Sequence, residues 1–268
     1  MKFKLIDVES WRRKPYFDHY YDQVRCTYSM TASVDITQLL TELRSKGIKL
    51  YPALIHMITT VVNRHSEFRT CVDEEGKLGY WESMSPSFTV FHDEDKSFST
   101  IWTPYSDDFL AFYKDYLDDM EQYGDIREFV AKTDEPPNTF PISSIPWVSF
   151  TAFNLNIYTE GTYLLPIFTM GKYSQQDGRT LLPLSVQLHH AVCDGYHAGV
   201  LFKELQERAD DCSKWLPGGS IVIRNKVTKT CQTLPFGVWQ VFDYILSFEF
   251  HDTLRYGKSI INALSYIR

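Results

Sequence analysis

The chain is predicted to be an α/β protein built on one large sheet whose strands are covered by helices. Three observations predict it. Leu181 to Leu188 is a short apolar run bounded by turn residues, the pattern of a buried strand. Between Pro52 and His65 the apolar residues Leu54, Ile55, Ile58, Val61 and Val62 recur at helical spacing. Strand-like and helix-like stretches also mix along the 268 residues, a length that fits one large domain or two small ones.

Taken in order, the elements follow from local chemistry. Ser10-Trp-Arg-Arg-Lys-Pro15 opens a short helical segment through about Tyr21. Met30 to Ile36 reads as a strand running into a helix, with Asp35 as its N-cap, and that helix ends near Lys46 because Gly47 follows. Pro52 suits the first turn of the next helix, since its missing N–H would have no intrahelical partner there. Leu78 to Trp81 and Ser87 to His92 are predicted strands, and Asp107 to Tyr123 a helix. Lys132 to Pro141 is polar and proline-rich, a predicted loop. Trp147 to Tyr158, Tyr163 to Lys172 and Leu181 to His189 are three predicted strands in succession, and Tyr196 to Ala209 is a helix.

Gly218-Gly219 breaks this pattern, so residues 1–219 are expected to form one domain and residues 220–268 a C-terminal extension. Val222 to Thr233 is polar and basic. Phe236 to Ile267 is aromatic-rich, but Asp243, Glu249, His251, Asp252 and Arg255 interrupt any membrane span.

Composition narrows the function classes. Hydrophobic residues at 44% supply a substantial core. A net charge of −7 leaves no basic footprint for nucleic acid. Cys26, Cys71, Cys193, Cys212 and Cys231 are odd in number and scattered, with no CxxC pair, so neither zinc nor a disulfide framework is expected. The N-terminal Met1-Lys-Phe-Lys-Leu-Ile-Asp7 lacks the apolar stretch of a signal peptide. A cytoplasmic protein with free thiols is the expectation.

The chemistry concentrates after the predicted buried strand, in Gln187-Leu-His-His-Ala-Val-Cys-Asp-Gly-Tyr-His197. A histidine at the end of a rigid strand is held in place, and imidazole has the affinity for protons that a general base needs near neutral pH. Gly195 permits a close turn before the following helix. Asp194 has two roles open to it: orienting His190 directly, or pairing with a distant arginine to hold the loop. A metal site built on His189, His190, Asp194 and His197 is disfavoured, because adjacent residues of an extended segment point to opposite faces. Cys193 sits in an apolar setting that suits a small buried hydrophobe better than a nucleophile. Neither a G-x-S-x-G elbow nor a glycine-rich phosphate loop occurs.

This motif set resembles the type A chloramphenicol acetyltransferases. Besides residues 187–197, the stretch from Ile36-Thr37, Phe88-Thr-Val-Phe-His92, Pro146-Trp-Val-Ser-Phe150, Phe153-Asn-Leu-Asn156 and Phe168-Thr-Met-Gly-Lys-Tyr173 resemble family motifs in the family's order. The likeness runs from about Lys4 to Gly219. It implies an α+β sandwich with a large mixed sheet, the fold of coenzyme-A-dependent acyltransferases. It also implies a homotrimer with active sites between subunits. The implied reaction moves acetyl from acetyl-CoA to the 3-hydroxyl of chloramphenicol in a ternary complex, with acetyl-CoA as co-substrate and no tightly bound cofactor or metal.

Residue by residue, the resemblance makes His190 the base, Ser143 the donor to the tetrahedral oxyanion, and Thr169 a helper acting through an ordered water. It pairs Arg13 with Asp194, selecting the structural role for that carboxylate. Tyr20, Cys26, Thr89, Phe153 and Leu155 match residues lining the drug pocket. Tyr51, Trp147, Lys172 and Tyr173 match coenzyme A contacts, where a lysine suits phosphate. Without the resemblance, Ser143 would read as a turn serine, Thr169 as an ordinary strand threonine and the pocket residues as core. The chain departs from the family at Tyr196, where phenylalanine is usual. His19 and Val130 stand where aromatic or apolar pocket residues are common, and the segment after Gly219 has no counterpart. Two other readings keep the same residues: transfer to a different hydroxyl acceptor, or sequestration of drug or coenzyme without chemistry.

Overall fold

In the computed structural model, residues 2–157 and 162–219 are described. Among them a three-stranded antiparallel sheet is formed by β1 (Phe3–Leu5), β4 (Leu78–Trp81) and β3 (Thr70–Val72). The main sheet has the order β2 (Thr27–Asp35), β10 (Arg179–His189), β8 (Ile167–Gly171), β7 (Thr139–Ile145), β5 (Ser85–His92) and β6 (Ser97–Trp102), with β9 (Ser174–Gln176) paired to β10. It is mixed: β8–β7 and β7–β5 run parallel, and the other pairs antiparallel.

One face of this sheet is apolar. Val34, Leu182, Leu184, Val186, Leu188, Phe168, Met170, Phe140, Ile142, Phe88 and Val90 alternate onto it and are all buried. Helix α5 (Gly195–Asp210) lies against β2, α3 (Leu50–Arg64) against β5, and α4 (Phe109–Tyr123) against β6. Helix α3 is the centre of the core. Its amphipathic spacing understates its burial, because every residue from Pro52 to Val62 is buried. The hydroxyls of Thr59 and Thr60 bond back to the carbonyls of Ile55 and His56, which satisfies them inside the apolar layer. Burial lowers the His56 pKa to about 4, and its Nε2 lies 3.0 Å from the Ser106 carbonyl oxygen.

Most predicted elements stand. Helix α2 is Thr37–Lys46, closed by Gly47 at φ 69°, where the left-handed conformation favours glycine. Its N-cap is Ile36 rather than Asp35, although Asp35 Oδ1 still accepts from the Thr37 N–H at 3.0 Å. The segment after Ser10 folds as the single α-turn α1 (Lys14–Phe17) and a π-helical stretch, Asp18–Gln23.

Three predictions need correction. Residues 147–157 form no strand. Both flanks of β8 are occupied, by β7 and β10, so that segment has no sheet edge to join there and Trp147, Val148 and Leu155 stay exposed. The strand predicted from Tyr163 begins only at Ile167, just after Pro166. The predicted loop over Lys132 to Pro141 ends early, because Thr139–Pro141 opens β7. The sequence reading missed four strands: β1, β3 and β9, which at three residues each are too short to show periodicity, and the six-residue edge strand β6. Among the described residues the helices lie on one face of the main sheet. The residues after Gly219 lie outside the described part.

Candidate active site

His190 follows the last residue of β10, and the reason it is held there is local. The His189 ring is buried, and its Nδ1 accepts the Ala191 N–H at 3.1 Å. The His189 carbonyl accepts from Val192 at 3.2 Å and Cys193 at 3.0 Å, which turns the chain. His189 is therefore structural, and the two neighbouring imidazoles have separate tasks. The His190 N–H donates to the Cys26 carbonyl at 2.8 Å. Its ring is stacked on Tyr20, with centroids 3.9 Å apart and 21° between planes, and Tyr28 leans on it at 5.4 Å. Its Nδ1 is buried without a hydrogen bond, which leaves Nε2 as the nitrogen facing out.

Asp194 caps α5. Its Oδ1 accepts from the Tyr196 N–H at 3.0 Å and lies 2.8 Å from His197 Nδ1, while Oδ2 accepts from Arg13 Nη1 at 2.9 Å. It makes no hydrogen bond to His190, so the direct-orientation role is not the one built here. Burial alone would raise this carboxyl, but the bonds from Arg13 and His197 outweigh it and hold the pKa at about 2. The ion pair joins residues 181 apart in sequence and fixes the start of α5 to the segment that carries Tyr20 and Cys26. Gly195 is the first residue of α5 and makes no left-handed turn; a Cβ there would meet nothing within 4 Å, so the turn owes nothing to glycine. The Cys193 thiol is buried and donates to the Glu67 carbonyl at 3.6 Å, and burial raises its pKa. That suits a packing residue, not a thiolate nucleophile.

Ser143 and Thr169 are direct partners across the parallel pair β7–β8, with hydroxyl oxygens 3.1 Å apart. The register extends this pair into a row, because Thr169 faces Ser185 on β10 and Ser185 faces Thr31 on β2. These four hydroxyls share the face opposite the helices. The segment bearing Phe153 lies across that row, with the Phe153 N–H donating to Thr31 Oγ1 and Ser185 Oγ donating to the Phe153 carbonyl. On β5, the Thr89 carbonyl accepts from the Tyr51 hydroxyl at 3.1 Å. Trp147 is 56% exposed and meets Phe91 edge-on, Leu155 and Lys172 are exposed, and Tyr173 packs partly against the core. His19 leans edge-on against Tyr20, Val130 bridges to Thr100 at the sheet edge, and Tyr196 is 76% exposed.

Eight of the fourteen sequence-derived residues fall into two groups. Arg13, Tyr20, Cys26, His190 and Asp194 form one; Ser143, Thr169 and Phe153 form the other. From Ser185 to His190 is five residues, ~16 Å along the strand, and Ser143 lies two strands away, ~10 Å more across. A reacting hydroxyl must lie about 3 Å from its base, so one chain does not bring His190 and Ser143 onto the same substrate. Sequence reasoning missed Tyr28, Thr31 and Ser185. For Thr31 the signal is the alternation Thr27, Ser29, Thr31, Ser33, Asp35 against Tyr28, Met30, Ala32, Val34, which marks one polar face and one largely apolar face; Ser185 lies in the apolar run of β10 and has no such signal. Among the described residues no cluster of metal-ligating side chains occurs, and no helix is long and apolar enough to cross a membrane.

The family model described as chloramphenicol acetyltransferase matches residues 1–206. A chloramphenicol acetyltransferase of Clostridium perfringens is 62% identical over 216 residues, 81% of this chain and 99% of the relative. One from Clostridium butyricum is 59% identical over the same shares. Among solved structures, a chloramphenicol acetyltransferase superposes with a TM-score of 0.69 at 20% identity, over 77% of this chain and 99% of the other. The cubic core of a pyruvate dehydrogenase multienzyme complex superposes at 0.56 with 21% identity, over 71% and 84%. At those identities the two structures speak to the fold alone.

Proposed function

The chain belongs to the chloramphenicol acetyltransferase family, and on that premise we propose that His190 is its general base, Ser143 its oxyanion donor, and the complete site is shared between two copies of the chain. The reaction transfers acetyl from acetyl-CoA to chloramphenicol, and the acetylated drug no longer acts as an antibiotic. In our reading His190 Nε2 takes the proton of the drug's 3-hydroxyl as that oxygen attacks the thioester carbonyl. The Ser143 hydroxyl donates to the tetrahedral oxyanion, and a donor placed in advance contributes about 3 kcal/mol in the transition state. Collapse expels the coenzyme thiolate, which recovers the proton from the imidazolium. Both substrates are bound together, without an acyl-enzyme, and the buried Cys193 thiol agrees with that.

The supporting roles follow from position. The contact of Thr169 with Ser143 orients the donor, and in our reading Thr169 also acts through an ordered water. Arg13 and Asp194 hold the loop that carries His190. Tyr20, Cys26, Thr89, Phe153 and Leu155 wall the drug pocket, while Tyr51, Trp147, Lys172 and Tyr173 meet coenzyme A. Residues 1–219 carry the activity, with residues 220–268 an extension. Acetyl-CoA and free thiols suit a cytoplasmic enzyme.

One observation carries the shared site: His190 and Ser143 lie on one sheet, too far apart to reach a common substrate. A homotrimer whose subunits each lend His190 to a neighbour's Ser143 closes three such sites by symmetry. Purified protein given acetyl-CoA and chloramphenicol is expected to release free thiol rapidly, and the His190→Ala variant none. Thiol release with other alcohols but not chloramphenicol would move the acceptor. Binding of both ligands without release would mean sequestration.

A further inference from the structure

We infer that Ser185 and Thr31 are positioning residues for the drug: their hydroxyls hold Phe153 at a fixed height over the row that carries Ser143. The inference rests on the reading above that Phe153 lines the drug pocket.

Residues 147–157 have no regular structure, yet their backbone is attached to the sheet at defined points. The Val148 carbonyl accepts from the Lys172 N–H at 2.8 Å. The Phe150 ring fits the space above Gly171, where a Cβ would lie 2.7 Å from Phe150 Cε1 and 2.8 Å from Pro183 Cγ. At Phe153 both backbone groups are taken by side chains: the N–H donates to Thr31 Oγ1 at 3.3 Å, and the carbonyl accepts from Ser185 Oγ at 2.7 Å. A segment without ladder partners needs its polar groups satisfied in some other way, and here two strands supply them.

Register gives this anchor its meaning. Thr31 and Ser185 are direct partners on β2 and β10, Ser185 and Thr169 on β10 and β8, and Thr169 and Ser143 on β8 and β7. The anchor of Phe153 is thus one strand from Thr169 and two from Ser143, on the same face, in one rigid row. Ser185 is only 3% exposed, and its short hydroxyl bond goes to Phe153 alone. The drug's ring would be located by Phe153, and the acetyl carbonyl that its hydroxyl attacks by Ser143, against a common row of strands. A displacement of the wall by as little as 1 Å is enough to spoil alignment of reacting atoms.

Steady-state kinetics of the full chain test this, with both substrates varied. Ser185→Ala is expected to raise the KM for chloramphenicol about tenfold, leave the KM for acetyl-CoA unchanged and keep the melting temperature near that of the parent. Thr31→Val should raise the same KM by a smaller factor, and Thr31→Ser should restore it. In a Phe153→Ala background, Ser185→Ala should add nothing further. Unchanged chloramphenicol KM in Ser185→Ala, or equal rises for both substrates, would overturn the inference. If Phe153→Ala itself left the chloramphenicol KM unaltered, the pocket reading would fail instead, and the two failures are thereby separated.

Discussion

The ring of Tyr20 lies face to face with the imidazole of His190, centroids 3.9 Å apart and planes 21° from parallel. The Cys26 carbonyl holds the His190 backbone N–H, and the stack fixes the ring plane without a carboxylate on the imidazole. Tyr20→Phe keeps the stack and should keep most of the activity. Tyr20→Ala should lower kcat about tenfold or more, since an aromatic pair contributes about 1 kcal/mol and the freed ring samples unproductive rotamers. Comparing kcat of the two variants checks it.

Asp194→Asn should lower stability by about 1–3 kcal/mol, below the cost of breaking a fully buried pair, because the carboxylate is 32% exposed in its side chain. The pH dependence has a definite sign. The folded carboxyl, at about 2, lies below the ordinary value of ~3.9, so its stabilisation is complete above ~pH 4 and is lost as pH falls from there toward 2. Melting temperature against pH should show this loss in the parent and a smaller one in Asp194→Asn.

Gly171→Ala should push Phe150 out of its seat, because the added Cβ would lie 2.7 Å from that ring. Overpacking of this kind costs about 1–3 kcal/mol. Chemical denaturation together with the chloramphenicol KM measures it, and both are expected to worsen.

Cys193→Ala should retain kcat, with a small loss of stability from the vacated volume. The parent thiol, buried and with its pKa raised, should resist alkylation while the fold is intact. A fall in kcat of a hundredfold or more would restore a nucleophilic role.

Much of this site could be read from the chain. His-x-x-x-Asp-Gly after an apolar run placed His190 at a strand end, because a buried strand and a helix cap are both local patterns. The partner of Asp194 was not local: Arg13 lies in a run of three cations, and composition would have left it in solvent. Trp147 to Tyr158 looked like a strand because aromatic and β-branched residues favour any half-buried surface, and its described part, through Ile157, lies on a sheet without joining it. The separation of Ser143 from His190 was invisible for a different reason. Their positions depend on the register of strands far apart in sequence, which no single segment encodes.

The shared site is the central claim, and mixing two defective variants tests it most directly. His190→Ala and Ser143→Ala, co-expressed in equal amounts and purified through distinct tags, would form mixed trimers. If base and oxyanion donor come from neighbouring copies, every mixed trimer carries one site in three with both residues intact, and thiol release should rise to about one third of the parent rate. If both residues serve the same chain's site, every site keeps one lesion, and release no greater than that of the Ser143→Ala protein alone would contradict the account.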